Sequence, residues 1–380
     1  MKVHFRSARN AVVAALLRHE RLSRSEMSEL VGVSPAAISE VTQDLLKKGV
    51  LEELATTSTG RSRGRPTIHL TLNASHAYFL GASASEITMP LVITDLCGRI
   101  VATHPLPSYK TLAEFTSAVR KTFSSLLRTS PISRNRIRGI GVAVSGIVDP
   151  HIGSCRYSAA LNWRDAPVAE KISKALKLPV WVDNDANAIA LAEKSFGHAR
   201  EYQNFSSIIL GRTIGSAHYM HNALYRGHND GAGEIGHVQV EPKGPLCRCG
   251  RNGCLDMVAG GFALQRAAKE CGLTVTTMRD LELLAMQGDT KAIRLLRRAG
   301  EALGTTAAIL VHLNNPQCLL FTDMEGFEIG VFRTAVRQAI ENNILPRFLG
   351  STEILFVDAE PKLLPRSAAS IAASEYLAAL

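Results

Sequence analysis

The densest chemistry in the sequence lies between residues 237 and 254. His237 is followed by Cys247, Cys249 and Cys254 in the pattern H-x9-C-x-C-x4-C. Three thiolates and one imidazole make a tetrahedral Zn2+ set with no vacant position, so the expected role is structural rather than hydrolytic. Gly250 and Gly253 permit the tight turns that would gather the sulfurs. The chain has seven cysteines, and an odd count with this clustering favours metal over disulfides in a reducing compartment. The competing account is three buried free thiols and an unrelated histidine. Cys97, Cys155, Cys271 and Cys318 read as small core residues.

A second kind of chemistry is concentrated at the start of the chain. Residues 1–73 carry eleven Lys and Arg against seven Asp and Glu, a local net of +4. Three helical patterns follow at short spacing. The first is Ala8–Arg18, and the second opens on a capping box at Ser23-Arg24-Ser25-Glu26 and stops at Gly32. The third starts at Ser34-Pro35 and runs to about Lys48. Ile38, Val41, Leu45 and Leu46 share one face of it, with Ala36, Ser39, Gln43 and Lys47 on the other. Small and amide side chains near a helix N-terminus can enter a major groove and meet base edges, which makes Ser34, Ala36, Ser39, Gln43 and Lys47 candidate DNA contacts. Two strand-like runs follow, Val50–Leu54 and Thr67–Leu72, around Gly60-Arg61-Ser62-Arg63-Gly64-Arg65-Pro66. Arg61, Arg63 and Arg65, spaced by small residues, form a slim cationic loop suited to an A·T-rich minor groove. The pattern is that of a winged helix-turn-helix on double-stranded DNA. The alternative is a helical interaction module with a solvated basic loop.

These features sit in a chain of 380 residues, 46% of them hydrophobic, with a net charge of +9. That length suggests two or three domains with ample core, and the charge leans towards an anionic partner. No apolar run reaches the roughly 20 residues of a bilayer span, and Met1–Arg9 does not read as a secretory signal, so the expected location is the cytoplasm, with no membrane partner. From Tyr78 onwards short apolar strands alternate with helices. Expected strands include Tyr78–Ala82, Ile137–Ser145, Ser206–Leu210, Val238–Glu241 and Gln317–Phe321; expected helices include Thr290–Val311 and Ile329–Asn343. The expected division is residues 1–73, then an α/β lobe over 77–184 onto which a closing helix at 366–380 packs back, then a second α/β lobe over 185–365. No internal repeat is visible.

Gly231-Ala232-Gly233-Glu234-Ile235-Gly236-His237 through Cys254-Leu255-Asp256, together with Val182-Asp183-Asn184-Asp185-Ala186-Asn187 and Gly139–Pro150, resembles the ROK family of bacterial sugar kinases and sugar-responsive repressors. The resemblance covers about residues 77–380, and the basic N-terminal region is similar to the repressor branch. It implies an α/β two-lobed sugar-kinase-like (actin-like ATPase) domain preceded by a winged helix-turn-helix domain. It also implies that Asn184, Asp185, Glu234 and His237 bind sugar hydroxyls, with the residue at Asp185 acting as general base in the kinases. His237 would serve zinc with one ring nitrogen and sugar with the other. Asp256 stands where the family usually has Glu, and it is included among the sugar-binding candidates.

The nucleotide side departs from the family pattern. Kinases of this type carry an Asp-x-Gly-Gly-Thr loop where this chain has Gly81-Ala82-Ser83-Ala84-Ser85. A second loop, Gly-Thr-Gly-Ile-Gly, is here Gly211-Arg212-Thr213-Ile214-Gly215, and the adenosine-contacting Gly-Gly is Thr322-Asp323. These departures predict a regulator without phosphoryl transfer: a repressor whose operator binding is set by a small carbohydrate, with structural Zn2+ and no catalytic residue. A palindromic operator requires a homo-oligomer, dimer or tetramer. The alternatives are an ATP-dependent sugar kinase with an appended DNA-binding domain, and a DNA-binding protein whose pocket no longer binds a ligand.

Overall fold

The computed structural model describes residues 5–54, 67–327 and 330–380. It divides into two compact units, Met1–Glu201 with Leu364–Leu380, and Tyr202–Leu363. The first unit opens with α1 (Phe5–His19), β1 (Arg21–Ser23), α2 (Arg24–Val31), α3 (Pro35–Lys47), β2 (Leu51–Leu54) and β3 (His69–Leu72). The Ser23 side chain and Glu26 close a reciprocal capping box on α2, and left-handed Gly32 ends it. Ser34 caps α3, with Pro35 as its first residue. The three strands pair antiparallel in the order β1-β3-β2. Val12, Leu16, Met27, Ile38, Val41 and Leu45 are buried between the helices. This is a winged helix-turn-helix. Arg61, Arg63 and Arg65, expected in the wing, lie outside the described residues.

The same unit continues with β4 (Tyr78–Ala84), β5 (Leu91–Asp95), β6 (Ile100–His104), α4 (Leu112–Thr129) and β7 (Ile137–Val144). A small sheet of β8 (Ile147–Asp149), β9 (Ser154–Ser158) and β10 (Trp163–Ala166) precedes α5 (Val168–Leu176), β11 (Val180–Asn184) and α6 (Asp185–Phe196). The main sheet has the order β11-β7-β4-β5-β6, with β5 antiparallel to both neighbours and β4, β7 and β11 parallel. The second unit holds β12 (Phe205–Leu210), β13 (Ile214–Met220), β14 (Ala223–Tyr225), α7 (Asp256–Ala259), α8 (Gly261–Glu270), α9 (Met278–Met286), α10 (Thr290–Asn314), β15 (Cys318–Asp323), α11 (Val331–Asn343) and β16 (Glu353–Asp358). Its sheet order is β14-β13-β12-β15-β16. Both sheets therefore share one plan, an antiparallel meander extended at its first strand by two parallel strands. The internal repeat that the sequence hides is present as topology.

Three readings change. Val238–Glu241 is not a strand; Gln239 forms only an isolated bridge with Cys254, because the pairing of this stretch with Gly253–Leu255 is cut short by the tight turns of the knuckle. The helix expected from Ile329 begins at Val331. The first lobe does not end at residue 184, since α6, which begins at Asp185, stays with the first unit. Helices α4, α5 and α8 were not expected, although Thr111 and Glu114 give α4 a complete capping box. No described helix is long and apolar enough to cross a membrane.

The last helix, α12 (Leu363–Ala379), returns to the first unit and packs its backbone on β4 and β7. A Cβ on Gly81 would lie 1.9 Å from the Pro365 carbonyl oxygen, and one on Gly141 would lie 1.8 Å from that of Ala368. On the same side, Ala369, Ala372 and Leu377 join one apolar cluster with Phe79 and the winged-helix core. Tyr376 Oη lies 2.9 Å from His76 Nε2, and Lys48 Nζ donates to the Leu380 carbonyl at 2.8 Å. Gly141→Ala is expected to destabilise this unit by about 1–3 kcal/mol through overpacking. Urea melts of the full chain would show an unchanged transition if the close approach is absent.

Candidate functional site

The Val182–Asn187 segment ends β11 and starts α6, and its polar side chains are largely committed to that junction. Asp183 Oδ1 accepts from Asn187 Nδ2 at 3.0 Å and from the Asn184 amide at 2.8 Å. Asn184 is the N-cap of α6: its Oδ1 accepts from the amides of Ala186 and Asn187, and its Nδ2 donates to the Gly146 carbonyl at 2.9 Å. Asp185 Oδ2 accepts a 2.6 Å hydrogen bond from the Ser145 hydroxyl, and burial pushes its carboxyl above the usual range. Ser145 was missed by sequence reasoning, although it lies within the Gly139–Pro150 segment.

In the second unit, Glu234 precedes a single 3-10 turn, Ile235–His237. His237 Nδ1 lies 3.5 Å from Cys247 Sγ, Cys249 Sγ lies 3.6 Å from Cys254 Sγ, and the four ligand atoms all lie within 4.8 Å of one another. With metal–sulfur bonds of about 2.3 Å and metal–nitrogen bonds of about 2.0 Å, tetrahedral edges come to about 3.8 Å for S···S and 3.6 Å for S···N. The donor set can hold a metal ion. Burial raises the Cys247 thiol and pushes that of Cys254 to about 12, so a cation is what would keep them as thiolates. The other ring nitrogen of His237, Nε2, lies 3.8 Å from Glu234 Oε2.

Asp256 is buried, and its Oδ1 accepts from the Ile214 amide at 2.8 Å. It thereby ties the knuckle to the Gly211–Gly215 loop. That loop is closed on itself and on α8: the Gly211 amide donates to the Thr213 carbonyl, and the amides of Gly261 and Phe262 donate to the carbonyls of Gly211 and Arg212. At the end of β15, buried Asp323 accepts from the amides of Glu325 and Gly326 and pairs with Arg333 at 2.9 Å. The Glu282 carboxylate accepts from the amides of Val331 and Phe332, capping α11. In the first unit, Tyr109 Oη accepts from the Ser85 amide and donates to the carbonyl oxygens of Ser83 and Ser85.

The third helix presents the expected polar face. Ser34, Ala36, Ser39, Gln43 and Lys47 are exposed, while Ile38, Val41, Thr42 and Leu45 are buried. Thr42 donates to the Ile38 carbonyl and accepts from Arg24 Nε, which locks α2 against α3.

Such an arrangement defines a winged helix-turn-helix joined to a two-unit sugar-kinase-like fold. A model of the ROK family matches residues 86–360, and the chain belongs to that family. The chain is 26% identical to the xylose repressor of Bacillus subtilis strain 168, over 90% of this chain and 88% of the relative. It is 25% identical to the DNA-binding transcriptional dual regulator NagC of Escherichia coli K12, over 89% and 85%. Its fold matches a ROK family transcriptional regulator described as a homologue of the E. coli MLC protein, with a TM-score of 0.81 and 24% identity over 99% of this chain and 98% of that one. The ROK hexokinase of Thermus thermophilus is also similar, with a TM-score of 0.63 and 26% identity over 77% of this chain and 97% of that one.

Replacing Cys249 by Ala should leave the purified protein without the bound metal of the wild type and speed amide exchange across 237–256. Equal metal content in both proteins would count against the four-ligand set.

Proposed function

We propose that the protein is a sugar-responsive transcriptional repressor: it binds operator DNA through α3 and the wing, and a small carbohydrate controls that binding. The observation that carries this reading is the polar, exposed face of α3 on a helix-turn-helix whose apolar core runs into the ROK unit. The similarity to repressors along most of the chain supports it. Gln43 suits adenine, Ser39 a base or a phosphate, and Arg61, Arg63 and Arg65 the minor groove. Two copies of α3 are needed to read a palindrome, so the working form is a homo-oligomer, dimer or tetramer.

The sugar-binding residues in this reading are Asn184 and Asp185 of the first unit and Glu234, His237 and Asp256 of the second. Asp185 and Glu234 are suited to accept from hydroxyls. Asn184 spends its Oδ1 on capping α6 and one amide hydrogen on the Gly146 carbonyl, with its side chain also hydrogen-bonded to Asp185, and Asp256 keeps one carboxylate oxygen after binding Ile214. Structural zinc on His237, Cys247, Cys249 and Cys254 holds the knuckle, and with all four positions taken by protein it supplies no hydrolytic chemistry.

Phosphoryl transfer is not part of this function. Amides in the two segments matched to the family's phosphate loops are turned onto the protein's own acceptors at Gly211, Ile214 and Ser85. Asp323, at the position matched to the family's adenosine contact, adds a buried carboxylate beside where a polyanion would bind, already paired with Arg333. Without a held γ-phosphoryl group, Asp185 serves as an acceptor and not as a base.

Mobility-shift assays with promoter DNA, repeated with sugars and sugar phosphates including xylose and N-acetylglucosamine, test the reading. Binding should weaken with salt, and one sugar should change it. Gln43→Ala should alter base preference, whereas Arg63→Ala or Arg65→Ala should weaken binding most on A·T-rich flanks. Asp185→Asn should blunt the sugar effect at least about tenfold while leaving sugar-free DNA binding near normal. ATP-dependent phosphorylation of a sugar above a no-enzyme control would establish the kinase alternative instead.

A further inference from the structure

We propose that His218 is a positioning residue for the Glu234–His237 turn, holding the Gly233 carbonyl in place through Ser216. The proposal rests on the reading that Glu234 and His237 are ligand groups. Strands β12 and β13 are antiparallel with Ser206 opposite His218, and Ser216 lies two residues before His218, so all three side chains share one sheet face. All three residues are buried. Ser206 Oγ lies 2.9 Å from His218 Nδ1, and Ser216 Oγ lies 3.4 Å from His218 Nε2. The Ser216 hydroxyl donates to the Gly233 carbonyl at 2.8 Å. Since its single proton is spent there, Nε2 donates to Ser216 and Nδ1 accepts from Ser206, which selects one neutral tautomer. Burial pushes the imidazole down to about 4, which keeps it in that neutral form at pH 7.

The relay ends on the carbonyl that starts the ligand-bearing turn. The same Gly233 oxygen accepts from the Ile235 amide at 2.8 Å, and the His237 amide then donates to the Glu234 carbonyl. Gly233 itself has φ +95, and a Cβ there would lie 2.1 Å from the Ser216 carbonyl oxygen, so loop and strand backbones touch. Next to them is a cavity of about 430 Å³ bordered by His218, Tyr225, His228, Ala232 and Leu313. The loop therefore has free space on one side, and the relay is the polar tie that keeps it against the strand. An apolar side chain at 218 would fill the volume but cut the tie.

Hydrogen exchange on the full-length protein, followed in peptides spanning 227–237, decides the matter. His218→Leu and Ser216→Ala should each speed exchange there about tenfold, while His218→Gln, whose amide can donate in place of Nε2, should restore most of the protection. Transfer of bound metal to a chromophoric chelator should quicken in the same order. Wild-type exchange in both His218→Leu and Ser216→Ala would overturn the proposal. So would equal loosening in His218→Leu and His218→Gln, because packing alone would then account for it. A protein purified without metal would remove the metal reading of His237, yet the exchange comparison would still judge the relay.

Discussion

The backbone of α12 rests on the backbones of β4 and β7 at Gly81 and Gly141, where even a methyl group would overlap a carbonyl oxygen. That approach sets the layering of the first unit. One face of its sheet is covered by α4 and α5, with Phe115, Val119 and Phe123 buried against Ile140 and Val142. The opposite face receives α12, and through Ala372, Ala373 and Leu377 its apolar surface continues into the winged helix. A DNA-binding module attached in this way shares a core with its neighbour and is not hung from a linker. Apolar burial is non-directional, so the shared core supplies stability. Direction comes from the polar ties at His76, Tyr376 and Lys48.

Carboxylates and amides in the second unit are committed to different tasks. Glu234 and His237 sit on a short turn beside the thiols. Asp323 and Glu282 accept backbone amides elsewhere in the unit, and Asp256, next to the knuckle, accepts that of Ile214. A buried amide must find an acceptor, and one satisfied by a fixed carboxylate offers nothing to a phosphate. The Asp323–Arg333 pair is almost wholly buried, and breaking such a pair from one side costs about 3–5 kcal/mol.

Much of this was legible in the sequence because it is local. Caps at Ser23 and Ser34, the alternation of faces along α3 and the thiol spacing from Cys247 to Cys254 all depend on neighbours a few residues apart, where backbone geometry fixes which side chains can meet. The family motifs carried the two-unit fold in the same way. Local reading also had a cost: Val238–Glu241 has strand-like residues, but its pairing with Gly253–Leu255 stops at a single bridge.

What only the tertiary structure decided involves partners far apart in the chain. Ser145 meets Asp185 across 40 residues, Ile214 meets Asp256 across 42, and Val331 meets Glu282 across 49. No periodicity links such pairs, because the separation depends on the intervening chain and not on helix or strand geometry. The common plan of the two sheets was hidden for a related reason. Strand order depends on which edges pair, and very different residues satisfy the same edges. The roles of Asn184 and Asp256 were half visible: their residue types announce hydrogen bonding, but only the fold shows that α6 and the Gly211–Gly215 loop take part of it first.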